Sequence, residues 1–274
     1  MARSRDSVSG DTSMLVGMLR ALRGHFRRVQ ITWPPVPSEQ EMAAANIGGG
    51  DYPEIGRDFL QYFIGLGGLK PTDAVLDIGC GLGRMAVPLA DWLAPEARYA
   101  GFDVVPDSIR WCRKHITARR AGFRFDLLDD VRNTHYNARG ANAAETVRFP
   151  YDDASFDFVF ATSVFTHLVP GAASRYLAES RRVLRPGGRL FATWFLVSED
   201  GPLTEAALEL LPFDEGTHRV ASRQVPEAVV GFPYRFVEDA YANAGLDPMN
   251  TIAGYWVQGI SQLPYQDMIV ARRP

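Results

Sequence analysis

Lysine is almost absent from this chain: Lys70 and Lys114 are the only two. Arginine carries nearly all the positive charge, which reads as a compositional bias without functional weight. Cysteine is as sparse, with Cys80 and Cys112 alone among 274 residues, and the start shows no secretory pattern. That excludes a small disulfide-stapled scaffold and points to a reducing, cytoplasmic setting. No apolar run is long enough to span a bilayer, which argues against a transmembrane protein. No charge of one sign dominates either. The formal net charge of −3 calls for neither an acidic nor a basic partner. No internal repeat or low-complexity tract is visible. What is present is ordinary globular composition, 46% hydrophobic and 22% charged, enough for a sizeable core in one elaborated domain.

The charge is uneven along the chain. Residues 1–30 hold six arginines against Asp6 and Asp11, a net +4, which leaves −7 for the rest. Residues 1–50 read as an N-terminal helical appendage to a domain over 51–274. Within it, Met14 to Val29 spaces Met14, Leu15, Met18, Leu19, Leu22 and Phe26 as an amphipathic helix, and Trp33-Pro34-Pro35-Val36-Pro37 breaks it. Such an arm suits packing on the domain or contact between two copies. Its apolar face is small for a membrane-surface helix.

From residue 53 helices and strands alternate. Pro53 opens a helix whose buried face is Ile55, Phe59, Tyr62, Phe63 and Leu66. Strands are expected at 74–78, 98–102, 123–128, 156–162 and 189–196. Helices are expected at 84–93, at 107–119 with Asp107 as its cap, and at 172–184. That alternation means an α/β fold with a mostly parallel sheet and helices on both faces. Residues 197–235 break the pattern and read as a lid on the acceptor side. A helix at 236–244 and strands at 246–255 and 267–272 close the chain, giving seven strands.

The first strand runs into Asp77-Ile78-Gly79-Cys80-Gly81-Leu82-Gly83. Glycines between a strand and a helix make a tight turn and let a ligand approach the backbone, with free amides behind them. A glycine-rich turn alone is weak, because several nucleotide-binding families share it. Here Arg84 stands where a dinucleotide fingerprint wants its third glycine. Asp77 puts a carboxylate where a pyrophosphate would be repelled and an ammonium or sulfonium attracted. Asp103 lies twenty positions past Gly83 at the end of the second strand, where an acid can accept both hydroxyls of a ribose; the alternative is a helix cap or a solvated loop acid.

These residues resemble the class I S-adenosylmethionine-dependent methyltransferases. The matching stretches are Val75 to Arg84, Gly101-Phe102-Asp103, Phe149 to Asp157, Ser163 to Leu168, and Arg182 to Gly188, in family order over about residues 50–196. The resemblance implies a Rossmann-like fold and S-adenosyl-L-methionine as cofactor. It implies that Asp77, Gly79, Gly81 and Gly83, with Cys80 between them, hold the methionine end. Asp103 would hold the ribose, Val104 would lie against the adenine, and Asp130-Val131 would be the pair near the adenine amino group. Ser163, after the fourth strand, joins the cofactor set. The stretch Arg132 to Ala154, with Tyr136-Asn137-Ala138-Arg139-Gly140, departs from the family as a long connection and suggests a loop that shapes the pocket.

On the acceptor side, His167 is the one histidine placed for acid–base work after the fourth strand, where a neutral imidazole could take a proton from an acceptor hydroxyl. The alternative is a residue that only shapes its loop. A base methylase of nucleic acid would carry a proline-rich turn at Ala161-Thr162-Ser163. No acid occurs between Asp157 and Glu179, so no metal site is expected there. Phe213, Phe232, Tyr234, Phe236, Tyr255, Trp256 and Tyr265 supply either core or an acceptor wall. The mild charge disfavours a nucleic-acid substrate. The expectation is a methyltransferase acting on a hydroxyl of a small molecule, a sugar, lipid or secondary metabolite. The competing readings are a non-catalytic scaffold with this fold and, less well supported, a nicotinamide-dependent reductase.

Overall fold

A computed structural model describes residues 36–259 and 264–274. The basic helix expected at Met14–Val29, with any contact between copies that it makes, lies outside the described residues. In chain order the helices are α1 Glu39–Ala44, α2 Tyr52–Gly65, α3 Ala86–Trp92, α4 Pro106–Cys112, α5 Pro170–Val183, α6 Glu205–Leu210 and α7 Tyr234–Ala244. The strands are β1 Val75–Ile78, β2 Tyr99–Asp103, β3 Phe123–Leu127, β4 Val131–Arg132, β5 Asn142–Ala143, β6 Phe156–Ala161, β7 Leu184–Trp194, β8 Leu196–Val197, β9 Phe213–Asp214, β10 Arg219–Val220, β11 Val230–Pro233, β12 Asp247–Ile252 and β13 Asp267–Arg272.

Seven of these form one sheet in the order β12-β13-β7-β6-β1-β2-β3. β13 runs antiparallel to both its neighbours and the other pairs are parallel. β1 is buried at all four positions because both faces are covered. Its alternate side chains enter two cores. Val75 packs with Tyr99, Phe158 and Phe63, whereas Leu76 and Ile78 pack with Val159 and Leu177. α2 illustrates the first layer. Asp51 caps it by accepting from Glu54 N at 2.7 Å, and Phe63 meets Phe160 at 4.4 Å and Phe191 at 5.1 Å. Chain order reverses at β1: β2 and β3 lie to one side, β6 and β7 to the other. The crevice at that reversal, outside the carboxyl ends of the strands, is where this architecture binds ligands.

Two elaborations interrupt the alternation, and only the first contributes residues to the crevice lining. Between β3 and β6, β4 pairs with β5. Between β7 and α7, residues 197–235 are not a plain loop: they build most of a second sheet, β8-β11-β10-β9, with α6 beside it. The helix expected at 107–119 ends as α-helix at Cys112 and continues as a π-helical segment, Arg113–Thr117. Asp107 is not its cap; Val105 is, with Pro106 in the first turn and Asp107 just inside. β7 starts five residues earlier than expected, and the ladder shifts register between Phe156 and Phe158 so that the Pro-Gly-Gly stretch bulges out. No helix among the described residues is long and apolar enough to cross a membrane.

Candidate active site

A cavity of about 1180 Å³ occupies the crevice. That exceeds the usual single-ligand range of roughly 300–1,000 Å³ and leaves room for a cofactor beside an acceptor. The glycine turn forms its floor. Gly81 has φ 50°, and a Cβ there would stand 2.7 Å from Ile47 Cδ1. A Cβ on Gly79 would stand 2.6 Å from Val164 Cγ2. The turn is therefore a cradle that only glycine leaves open. Gly83 differs: its bare Cα faces Ile116 and the Cys112 sulfur, so it seats the turn on the helix behind and does not line the cavity. Cys80 is buried in the turn, where desolvation pushes its thiol up.

Two carboxylates border the floor. Asp77 is 1% exposed. Its Oδ2 accepts the Tyr99 hydroxyl at 2.6 Å, and its Oδ1 has no partner among the described residues. Burial holds this carboxyl well above the ordinary range, against the pull of the Tyr99 hydrogen bond. A buried acid with one free oxygen at a cavity floor fits a cationic ligand group. Asp103 accepts from Gly81 N at 2.8 Å through Oδ2 and from Val105 N at 2.9 Å through Oδ1. Burial raises it and these amides oppose the rise. Each oxygen keeps acceptor capacity for a ribose hydroxyl. A buried acid with one unpaired oxygen, an acid with spare lone pairs and a cradle without side chains together fit S-adenosylmethionine.

Asp77 gives a test that needs no acceptor. Its raised native pKa means that the folded state binds the proton more tightly than the unfolded chain. Its contribution is most favourable at low pH and is lost as pH rises from the unfolded carboxyl value through the native one. Asp77→Asn is expected to flatten that decline and raise the melting temperature at neutral pH, roughly 2–4 °C for each ~1 kcal/mol gained. The same substitution removes a charged partner from the cofactor, worth about 1.5–3 kcal/mol. Thermal melts and cofactor titration check both; lower stability together with unchanged affinity would count against this role.

The other wall of the cavity includes Val104, Val131 and Leu168. Val131 is buried, but Asp130 is exposed and does not line the cavity: its Oδ2 takes Asn142 Nδ2 at 2.9 Å. The expected acid beside the adenine is therefore turned onto the insert. Ser163 lines the cavity with φ 59°, a conformation unusual for a side-chain-bearing residue. Buried Thr193 holds it there, accepting from Ser163 N at 2.7 Å and donating to Gln266, which bonds Ser163 Oγ at 2.8 Å.

His167 reaches the cavity from the short turn after β6. Its Nδ1 lies 3.0 Å from the Glu227 carbonyl oxygen of the 197–235 region. A carbonyl only accepts, so Nδ1 carries the proton and Nε2 is the free base. Burial pushes its pKa below the ordinary histidine value, with the Glu227 carbonyl pulling the other way. The insert surrounds it. Asn133, 7% exposed, donates to the His167 carbonyl at 2.8 Å and accepts from the amides of His135 and Tyr136. The His135 ring stacks parallel to His167 at 5.6 Å.

Several cavity residues were not singled out from sequence, Ile47, Asn133, His135 and Gln266, whereas Tyr136 lines the cavity from the connection expected to shape the pocket. Residues 45–50, read as appendage, belong to the cavity wall; Arg84 Nη2 donates to the Gly48 carbonyl at 2.7 Å. Polar and aromatic side chains in a long connection at the ligand-binding end of a parallel sheet were the available signal for the insert. Of the seven aromatics named after residue 197, Tyr255 and Tyr265 line the cavity, and Phe232 and Trp256 are core.

The fold and the glycine-acid floor define a doubly wound α/β domain with a crevice suited to a nucleoside-containing ligand. Residues 76–192 match the family model of a methyltransferase domain. A 27-O-demethylrifamycin SV methyltransferase of Amycolatopsis mediterranei is 32% identical over 130 residues, 47% of this chain and 41% of the relative. A phthiotriol/phenolphthiotriol dimycocerosates methyltransferase of Mycobacterium ulcerans is 32% identical over 157 residues, 57% of this chain and 49% of the relative. The chain thus spans less than half the length of these relatives. A SAM-dependent methyltransferase structure from Methanosarcina mazei shares the fold, with a TM-score of 0.53, 20% identity, and coverage of 75% of this chain and 94% of that one. Residues 76–192 are thus similar to the methyltransferase-domain family, and the fold is the one that S-adenosylmethionine-dependent methyltransferases adopt.

Proposed function

We propose that the protein transfers a methyl group to a hydroxyl oxygen of a small molecule, a sugar, lipid or secondary metabolite, in the cytoplasm. The observation that carries this reading is the state of His167, a cavity-lining residue whose Nδ1–H is spent on the Glu227 carbonyl, which leaves Nε2 as its basic nitrogen. The cofactor, when bound, supplies an electrophilic methyl on a sulfonium. Asp77 holds its cationic end, Asp103 its ribose, and Val104 with Val131 its adenine. His167 takes the proton that an attacking hydroxyl must lose. The walls align the acceptor, which carries much of the acceleration. The rifamycin relative's name specifies an O-methyl position, which supports oxygen as the acceptor atom. A scaffold has no use for a buried carboxylate with one oxygen left unpaired beneath a ligand cradle, which argues against a non-catalytic role.

A radiolabelled methyl screen against sugars, lipids and phenolics tests the proposal. Labelled ether products are expected; label confined to nitrogen or carbon acceptors, or none at all, would reject the hydroxyl reading. A chelator should leave the activity intact, because the segment after β6 has no acid between Asp157 and Glu179. Activity lost to chelation and restored by magnesium would overturn that expectation.

A further inference from the structure

We propose that Tyr136 is a second proton carrier of this site, its phenol standing between the acceptor hydroxyl and His167. The inference rests on the hydroxyl-methylation reading and deepens it. Tyr136 lines the cavity from the insert, and its Oη lies 3.4 Å from His167 Nε2. With Nδ1–H committed to Glu227, Nε2 can only accept, so the phenol is the donor. Burial and the facing Asp103 push the phenol's pKa up to about 12, so it stays protonated at neutral pH. The phenolic oxygen keeps its own acceptor capacity for the acceptor's hydroxyl. The separation is long and must close to about 2.8 Å for transfer, as catalytic contacts commonly do once substrate is bound.

The step balances. As the acceptor oxygen bonds the methyl carbon, the carbon–sulfur bond breaks and its electron pair stays on sulfur. The acceptor proton passes to Tyr136 Oη while the phenolic proton passes to His167 Nε2. The tyrosine ends as it began, and the imidazolium returns its proton to solvent. The insert is built to hold this pair. Asn133 binds the Tyr136 amide and the His167 carbonyl through one side chain. Thr134 Oγ1 hydrogen-bonds the carboxylate of Glu227, the residue whose carbonyl fixes the imidazole. The groups facing His167 are thus His135 and Tyr136 from the insert and Glu227 from the 197–235 region, with Asp103 across from the phenol.

Tyr136→Phe removes one oxygen and keeps the ring edge-on to His167, so the fold should persist. Two readouts are needed. In the protein without acceptor, nitrogen NMR of His167 should show protonated Nδ1 and free Nε2, and Tyr136→Phe should raise the His167 pKa, because a donor to the neutral ring is lost. In turnover, Tyr136→Phe should lower kcat by on the order of tenfold or more, with acceptor KM and cofactor Kd little moved. A solvent isotope inventory should pass from two protons in flight to one. Added to His167→Ala, the change should cost little more, since the two side chains act as one unit. A proton on Nε2, a His167 pKa indifferent to Tyr136→Phe, or an unchanged kcat would each overturn the relay. Failure to methylate any hydroxyl would instead reject the parent reading, and the NMR arm separates the two.

Discussion

His167→Ala is expected to lower turnover on a hydroxyl acceptor by roughly a hundredfold or more while leaving cofactor affinity nearly unchanged. The side chain can be removed without releasing its loop, because the backbone carbonyl of His167 is held separately by Asn133. What is lost is the Nε2 lone pair. The wild-type rate should rise with pH as the imidazole loses its proton. An ordinary histidine would place that rise near ~6.5. Burial beside His135 pushes the His167 pKa down, so the rise belongs at lower pH, and the enzyme should already hold its active form at neutrality. The alanine variant should lose this limb of the profile. His167→Asn should not rescue it, since an amide cannot take the proton at neutral pH. Initial rates across pH at saturating cofactor and acceptor decide the matter. An alanine variant that binds cofactor poorly yet keeps its saturated rate would make His167 a loop residue, and the methyltransferase reading would stand, since alignment alone carries much of the acceleration.

The parts of this molecule that were legible in the sequence are those fixed by short-range rules. β1 is a buried run ending in glycines, β2 and β3 follow it at helix-length intervals, and β6 is a further largely buried run beyond the insert, which is enough to order the sheet. Asp77, Gly79, Gly81 and Asp103 sit at strand ends, so topology alone brings them together. The insert obeys no such rule. β4 and β5 have two residues each, too few to show a period, and Val131 turns inward while Asp130 and Arg132 turn out, so a shift of one residue separates a wall from a solvated acid. Tyr136 meets His167 thirty-one positions away only because the Asn133 side chain folds the loop back. Ile47 lies over Gly81 for a similar reason: Arg84 fastens the Gly48 carbonyl, a contact between residues thirty-six apart. The same limit applies at the π-helical end of α4, where packing of Ile116 against Gly83 overrides the regular helix expected to Arg119.

Asp103→Ala should weaken S-adenosylmethionine binding by roughly 2–4 kcal/mol, about 30- to 1,000-fold in Kd. Two losses combine. The first is the acceptor for the ribose hydroxyls, where charge-assisted hydrogen bonds would be replaced by unpaired donors. The second became visible only in three dimensions: Asp103 also ties the glycine turn, taking Gly81 N at 2.8 Å and Val105 N at 2.9 Å. Alanine leaves both amides without that acceptor and loosens the cradle itself. Asp103→Asn separates the contributions. Its single carbonyl oxygen can keep one amide tied, but the negative charge and one acceptor are gone, so its affinity should fall between wild type and alanine. Gly81→Val supplies the steric counterpart. Its branches would fill the cradle where a Cβ already meets Ile47, at a φ that valine adopts only with strain, and binding should be lost altogether. Calorimetric titration with the cofactor and with its demethylated product measures all three, and the product isolates the ribose because it lacks the sulfonium. Alanine and wild type binding the product equally well would remove Asp103 from the ribose and leave it only as a brace for the turn.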